Sequence, residues 1–186
     1  LKEINLEIND GESVAIVGAT GSGKTTLVTL ALRFYDVTKG RITIDGIDIR
    51  EVNRSSFVEQ TSMVLQDPFL FSGTINENIR YCHLERTDEE VVSAAKVVGA
   101  HDFIMDMQEG YETPLQERGT NLSIGQRQLI SFARAIVNNP RILLLDEATA
   151  NVDTQTEVII QQALQKVLEG RTSIVIAHRI STIRNA

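Results

Sequence analysis

Apolar residues recur along this chain in two different periods, and the alternation between those periods predicts its architecture. Short runs with strand character fall at 3–9, 13–17, 41–44, 61–65, 141–145 and 172–176. In the first, Ile4, Leu6 and Ile8 alternate with polar residues, the pattern of a half-buried strand. Ile142–Leu145 and Ser173–Ile176 lack that alternation, which predicts central parallel strands covered on both faces. Elsewhere the spacing is helical. Leu129, Phe132, Ala133, Ile136 and Val137 share one face, as do Ile160, Ala163, Leu164, Val167 and Leu168, and each stripe predicts a helix packed on a core. Four capping boxes predict helix starts: Thr74 with Glu77, Thr87 with Glu90, Ser123 with Gln126, and Thr154 with Glu157. From about 68 to 138, helix follows helix with no convincing strand. The whole predicts an α/β fold, with a parallel-sheet core from 1–67 and 139–186 interrupted by a helical insert at 68–138. Both ends break off in mid-pattern, so 1–186 reads as a segment of a larger protein.

Charge narrows the function. Lys and Arg total 18 against 25 Asp and Glu, a net charge of −7. That balance argues against a nucleic-acid partner or an anionic membrane surface. The lone cysteine, Cys82, excludes an internal disulfide and fits a reducing compartment. Cys82, His83 and His101 match no motif, and the two histidines are expected to be solvated.

The chemistry is concentrated in three segments. Gly18-Ala19-Thr20-Gly21-Ser22-Gly23-Lys24-Thr25 is a complete G-x-x-x-x-G-K-[ST] run after the apolar stretch Val14–Val17. Its glycines let backbone N–H groups turn onto phosphate oxygens without a Cβ in the way. Lys24 can reach the β- and γ-phosphates, and the Thr25 hydroxyl can ligate Mg²⁺. Thr26 extends the nucleotide-binding run into a helix from Lys24 to about Arg33, whose N-terminal end faces the same anion. Arg141–Glu147 is a strand ending in two carboxylates. Asp146 is placed to hold Mg²⁺, and Glu147 to orient and deprotonate an attacking water. Asn121–Gln128 is the third segment. Its Ser123–Gln126 box makes an ordinary helix start, and the same serine hydroxyl and free N–H groups make a second anion site.

The third segment carries a resemblance. Ser123-Ile124-Gly125-Gln126, preceded by Leu122, closely resembles the Leu-Ser-Gly-Gly-Gln signature of ATP-binding cassette (ABC) ATPases, with Ile124 in place of the first glycine. The likeness then extends over nearly the whole chain. Gln66 resembles the Q-loop glutamine that senses Mg²⁺ and contacts the transport domain. Phe71–Ile75 with Asn78-Ile79, and Glu117-Arg118-Gly119, resemble exporter-type loops, the latter one that touches the membrane domain. Ala150–Asp153 resembles the D-loop, and His178 the switch histidine. The resemblance implies a P-loop NTPase fold: a RecA-like parallel-sheet core, a small antiparallel β part and an inserted helical subdomain. It implies an ATP- and Mg²⁺-dependent ATPase powering an exporter at the cytoplasmic face of the cell membrane. Two such domains would sandwich ATP head to tail. Gly18–Thr25, Gln66, Asp146, Glu147 and His178 of one would face Ser123, Gly125, Gln126 and Asp153 of the other. The partners implied are a second ABC ATPase domain and a transmembrane domain of the same polypeptide. The family's adenine-stacking aromatic is expected before Leu1.

Alternatives differ in specific features. A chromosome-maintenance or DNA-repair ABC ATPase would carry a long coiled coil between Gln66 and Ser123, an interval that holds no heptads here. A GTPase would need an Asn-Lys-x-Asp motif, which does not occur. A non-hydrolysing, nucleotide-gated module would have no use for Glu147. Within the exporter reading the pair can be a homodimer or a heterodimer. Intact Lys24, Asp146 and Glu147 beside the departure at Ile124 favour the heterodimer.

Overall fold

Four of the apolar runs assemble into one parallel sheet. The computed structural model describes residues 1–146 and 154–176. β1 (Ser13–Ile16), β4 (Thr61–Val64), β7 (Ile142–Asp146) and β8 (Thr172–Ile176) are ordered β1-β8-β7-β4, every pair parallel. The non-alternating runs are the two central strands, as expected. Leu143, Leu145 and Val175 turn to one face, against α6 (Ile124–Ile136) and α7 (Thr154–Leu168). Leu144 and Ile176 turn to the other, against Val28 of α1 (Lys24–Ala31). This is the doubly covered α/β core of a P-loop NTPase.

The larger apolar cluster runs from Val64 and those strand residues through α6 and α7. It continues into α3 (Ile75–Ile79), α4 (Asp88–Val97) and α5 (His101–Met105). The stripe Leu129, Phe132, Ala133, Ile136 and Val137 is buried throughout. Thr74, Thr87 and Ser123 cap α3, α4 and α6 in full reciprocal boxes. The fourth box, Thr154 with Glu157, falls at the start of α7, which begins at Thr154; the residues just before it lie outside the described residues.

Other differences have physical causes. The run 3–9 is not a strand, and Ile4 and Leu6 are 48% and 51% exposed. An alternating run needs an edge to pair with. No described strand pairs with it; β2 (Thr43–Ile44) is only two residues long and pairs with β3 (Ile47–Asp48). Of the expected strand at 41–44 only Thr43–Ile44 forms, as one arm of that hairpin. The hairpin turns on Asp45-Gly46, both at positive φ (51° and 79°), as a two-residue Asp-Gly turn requires. α2 (Arg54–Gln60), capped by Asn53, was not signalled by periodicity. The helical insert does hold a strand pair, β5 (Gly73–Thr74) with β6 (Pro114–Leu115). The two histidines are half-buried, not solvated. His101 Nδ1 lies 2.9 Å from the Tyr111 hydroxyl, and burial pushes the His83 pKa below its ordinary value.

Candidate functional site

Because the four strands are parallel, every loop that leaves their carboxyl ends leaves from the same edge. Register sets the heights: Ile16 of β1, Ile176 of β8 and Asp146 of β7 stand level. Val64 of β4 pairs with Leu145, so Gln66 follows just past that level. At about 4.8 Å per strand, β1 and β7 are roughly 10 Å apart. The run Gly18–Lys24, Asp146 and Gln66 thus share one edge, where open α/β sheets bind their ligands. Glu147, which follows Asp146 in sequence, lies outside the described residues, as do the Ala150–Asp153 segment and His178.

The loop after β1 is built around its glycines. Gly21 and Gly23 have φ of 82° and 95°, a left-handed backbone that other residues resist. A Cβ at Gly18 would sit 2.8 Å from Ser22 Oγ. The Ser22 N–H donates to Ala19 O at 3.1 Å and tightens the turn. Gly23 occupies the cap position of α1 and supplies no side-chain cap bond. The first N–H groups of α1 therefore stay available to an anion. Lys24 is buried at 8% exposure, and its Nζ donates to Gly18 O at 2.8 Å and Ala19 O at 3.0 Å. The ammonium is thus held inside the loop it serves. Ala19, Thr20, Thr25 and Thr26 are exposed around it.

The donors brought to this edge are a hydroxyl (Thr25), an amide (Gln66) and a carboxylate (Asp146). An all-oxygen set suits a hard cation such as Mg²⁺. Among the described residues no three His, Cys, Asp or Glu gather into a metal cage. One carboxylate plus substrate phosphates is the usual way to hold Mg²⁺ without such a cage.

The Ser123 segment stands elsewhere. Ser123 Oγ accepts from the Gln126 N–H at 3.1 Å, and Gln126 Oε1 accepts from the Ser123 N–H at 2.9 Å. The box consumes those two donors and leaves the N–H groups of Ile124 and Gly125, the first two helical positions, without intrahelical partners. Ile124 is 42% exposed, whereas Gly125 is buried. α6 ends where the chain turns into β7, so its start points toward the carboxyl edge. It covers the face opposite α1. One sheet therefore carries two helix starts fit for phosphate, on opposite faces.

The two exporter-like loops meet. β5 and β6 pair, the Arg118 N–H donates to Leu70 O at 3.1 Å, and the Arg118 guanidinium lies 5.9 Å from the Phe69 ring. Behind them Arg134 donates to Asn78 O, Asn78 Oδ1 and Phe69 O at 2.7–2.8 Å. Asn78, 2% exposed, bonds both the N–H and the C=O of Phe71. Burial draws the Arg134 pKa down to about 10. Periodicity did not single out this clamp. Its signal was an arginine set among Phe132, Ala133, Ala135 and Ile136, a cation with no way out of an apolar stripe. Phe69, Phe71 and Tyr81 remain 40%, 36% and 42% exposed as an aromatic patch, Phe71 and Tyr81 stacked at 4.2 Å.

The family profile described as ABC transporter matches residues 1–150. The chain belongs to the ABC transporter family. It is an ATP-binding domain of that family of ATPases. The ABC transporter ATP-binding protein YknV of Bacillus subtilis is 56% identical over the whole of this chain, which covers 31% of that relative. The ATP-dependent lipid A-core flippase of Syntrophus aciditrophicus is 52% identical, again over the whole chain and 31% of the relative. Multidrug resistance protein pgp-1 of Caenorhabditis elegans is 52% identical over the whole chain and 14% of its own length. Among the described residues of this ABC domain, no helix is long and apolar enough to cross a membrane.

Proposed function

We propose that this ABC domain hydrolyses ATP within a head-to-tail pair of such domains and thereby powers an exporter. The observation that carries the reading is the pair of phosphate-ready helix starts on opposite faces of one sheet. A helix start behind the sheet cannot easily serve the loop in front of it, so a second domain is the natural recipient of Ser123, Gly125 and Gln126. Asp153 joins them at that interface. On the hydrolytic side, Gly18–Thr26 wraps the triphosphate and Lys24 exchanges its loop carbonyls for phosphate oxygens. Thr25, Asp146 and Gln66 hold Mg²⁺, which neutralises charge on the phosphates when bound. Glu147 takes the proton of the attacking water, and His178 completes the site. The γ-phosphate joins the two domains, and its loss lets them part.

The division into a core (1–67 and 139–186) and a helical subdomain (68–138) belongs to the same proposal. So does a transmembrane domain in the same polypeptide, seated on the Phe69, Phe71 and Tyr81 patch beside Arg118. That surface combines exposed aromatic area with a cation, the composition favoured at protein interfaces. It would place the domain at the cytoplasmic face of the membrane. The YknV relative is about three times as long as this chain, which leaves ample length for such a domain. Ile124 favours a related but different chain as the second ATPase domain.

The test is Glu147→Gln in the full-length transporter. The amide keeps the shape and cannot accept a proton. ATP binding should persist while turnover falls by about 10²- to 10⁴-fold, with nucleotide trapped in a closed pair. Unchanged turnover per site would move the base elsewhere, with His178 the next candidate.

A further inference from the structure

Gln66 stands in a short exposed arch. β4 ends at Val64, which is buried and paired with Leu145, and the chain is next buried at Pro68. Leu65, Gln66 and Asp67 are exposed between those two points. Just past Pro68 the chain is gripped from behind, where the Arg134 guanidinium donates to Phe69 O at 2.8 Å. Among the described residues no other hydrogen bond reaches the backbone of Gln66–Phe69.

The link between grip and arch is stiff. The Pro68 ring locks its own φ, and a proline confines the residue before it, here Asp67, to extended backbone. Both residues between Gln66 and Phe69 are thereby restricted, so a shift of the Phe69 carbonyl is carried to Gln66 instead of being absorbed. The grip itself is held in place. Arg134 Nε donates to Asn78 O at 2.7 Å and Nη2 to Asn78 Oδ1 at 2.8 Å, which engages all three guanidinium nitrogens. Its neighbours on α6, Phe132, Ala133, Ala135 and Ile136, are buried. A cation in such a stripe is costly, and what arginine offers there is a planar fork that fixes several acceptors at once. Two of those acceptors belong to Asn78, and the third belongs to the end of the arch.

We propose that Arg134 is a positioning residue for Gln66, holding the far end of the arch so that the Gln66 amide stands ready for the metal beside Thr25 and Asp146. This rests on the reading of Gln66 as a metal donor given above. Arg134 acts only through Phe69, Pro68 and Asp67, and its contribution falls on the metal and not on the phosphates that the Lys24 loop holds.

The test uses the full-length transporter with Mn²⁺ as the probe. Mn²⁺ affinity in the presence of a non-hydrolysable ATP analogue is read by EPR, beside the affinity for the same analogue without metal. Arg134→Lys keeps the charge but puts one ammonium where a fork bridged three acceptors. Mn²⁺ binding should weaken by about 10-fold, the lower end for losing a group that orients a metal ligand. Metal-free analogue binding should change less than about threefold, under 1 kcal/mol, since the Lys24 loop is untouched. Gln66→Ala should weaken Mn²⁺ binding at least as much, and adding Arg134→Lys to it should cost less than about twofold more, because the two act as one unit. Pro68→Ala leaves Arg134 in place and frees the joint. It should weaken Mn²⁺ binding by about threefold or more, and it decides the matter if Arg134→Lys does not assemble. Undiminished Mn²⁺ affinity in Arg134→Lys or Pro68→Ala, an equal loss of metal-free binding, or a full further loss on top of Gln66→Ala would each overturn the proposal. Failure of the metal reading shows separately, as a Gln66→Ala variant that binds Mn²⁺ normally, and it takes the proposal with it.

Discussion

Lys24 shows how much of the site one residue holds. Its ammonium is buried at 8% exposure and bonded to two carbonyls of its own loop, so its direction is set before a ligand arrives. On the proposed reading a bound triphosphate would exchange those neutral acceptors for charged ones, and charge-assisted bonds are roughly twice as strong as neutral ones. Removing one side of such a contact in a partly desolvated site costs about 2–5 kcal/mol. Lys24→Ala in the full-length transporter should weaken ATP binding at this site by about 30-fold or more, since 1.4 kcal/mol is tenfold. Titration with ATP measures it. A change under about threefold would remove Lys24 from the phosphates. The glycines of the same loop were legible for a related reason: positive φ at Gly21 and Gly23 and the crowding at Gly18 are constraints a motif records directly. The hold on Gln66 was not legible, because nothing in the sequence around it names Arg134 as the residue that reaches Phe69 O.

Among the elements, the Arg134–Asn78 clamp makes the clearest prediction. Asn78→Ala deprives the Phe71 N–H of its acceptor at 2.8 Å and leaves Phe71 O and Thr74 O without their donor. It also strips the Asn78 Oδ1 acceptor from a guanidinium whose pKa burial has already lowered to about 10. An unsatisfied buried group costs about 1–3 kcal/mol. Amide exchange around Phe71 should therefore run about 5- to 150-fold faster when it proceeds by local opening. Unchanged exchange there would mean the clamp does not hold the loop. The elements the sequence disclosed were those with a local cause. Three capping boxes satisfy their donors within four residues, and the α6 stripe repeats one period for a little over two turns. The Asp45-Gly46 hairpin had its signal too, in a dipeptide suited to two positive φ values, although apolar periodicity passed over it. β5 and β6 had none, since two-residue strands show no period and their partners are some 40 residues apart. The run 3–9 failed the opposite way: its period is clear, but alternation says only that a face could be buried, and no described strand pairs with it.

For the whole molecule, the arrangement of faces turns a single side chain into a statement about assembly. If the start of α6 serves a neighbour's nucleotide, Ile124 is judged by that neighbour's site and not by its own. It stands at the first helical position, 42% exposed, beside the two N–H groups that a phosphate would approach. A β-branched side chain there has one stiff rotamer and shields donors that glycine would leave open, while Ser123 keeps part of the contact. Two identical copies would give both sites this weaker surface despite intact Lys24, Asp146 and Glu147. A related partner with glycine at the equivalent position would give the site built on Lys24 and Glu147 a better one. The heterodimer is therefore the expected assembly. Full-length protein expressed alone should show low ATPase activity, and co-expression with a related half-transporter from the same source should raise it. In that pair Glu147→Gln should remove most of the turnover, whereas Ile124→Gly, acting on the partner's site, should leave the site of Lys24 and Glu147 unchanged. In the chain expressed alone, Ile124→Gly should raise turnover. Robust ATPase activity by the single protein, improved neither by a partner nor by Ile124→Gly, would establish that isoleucine serves a homodimer as well as glycine.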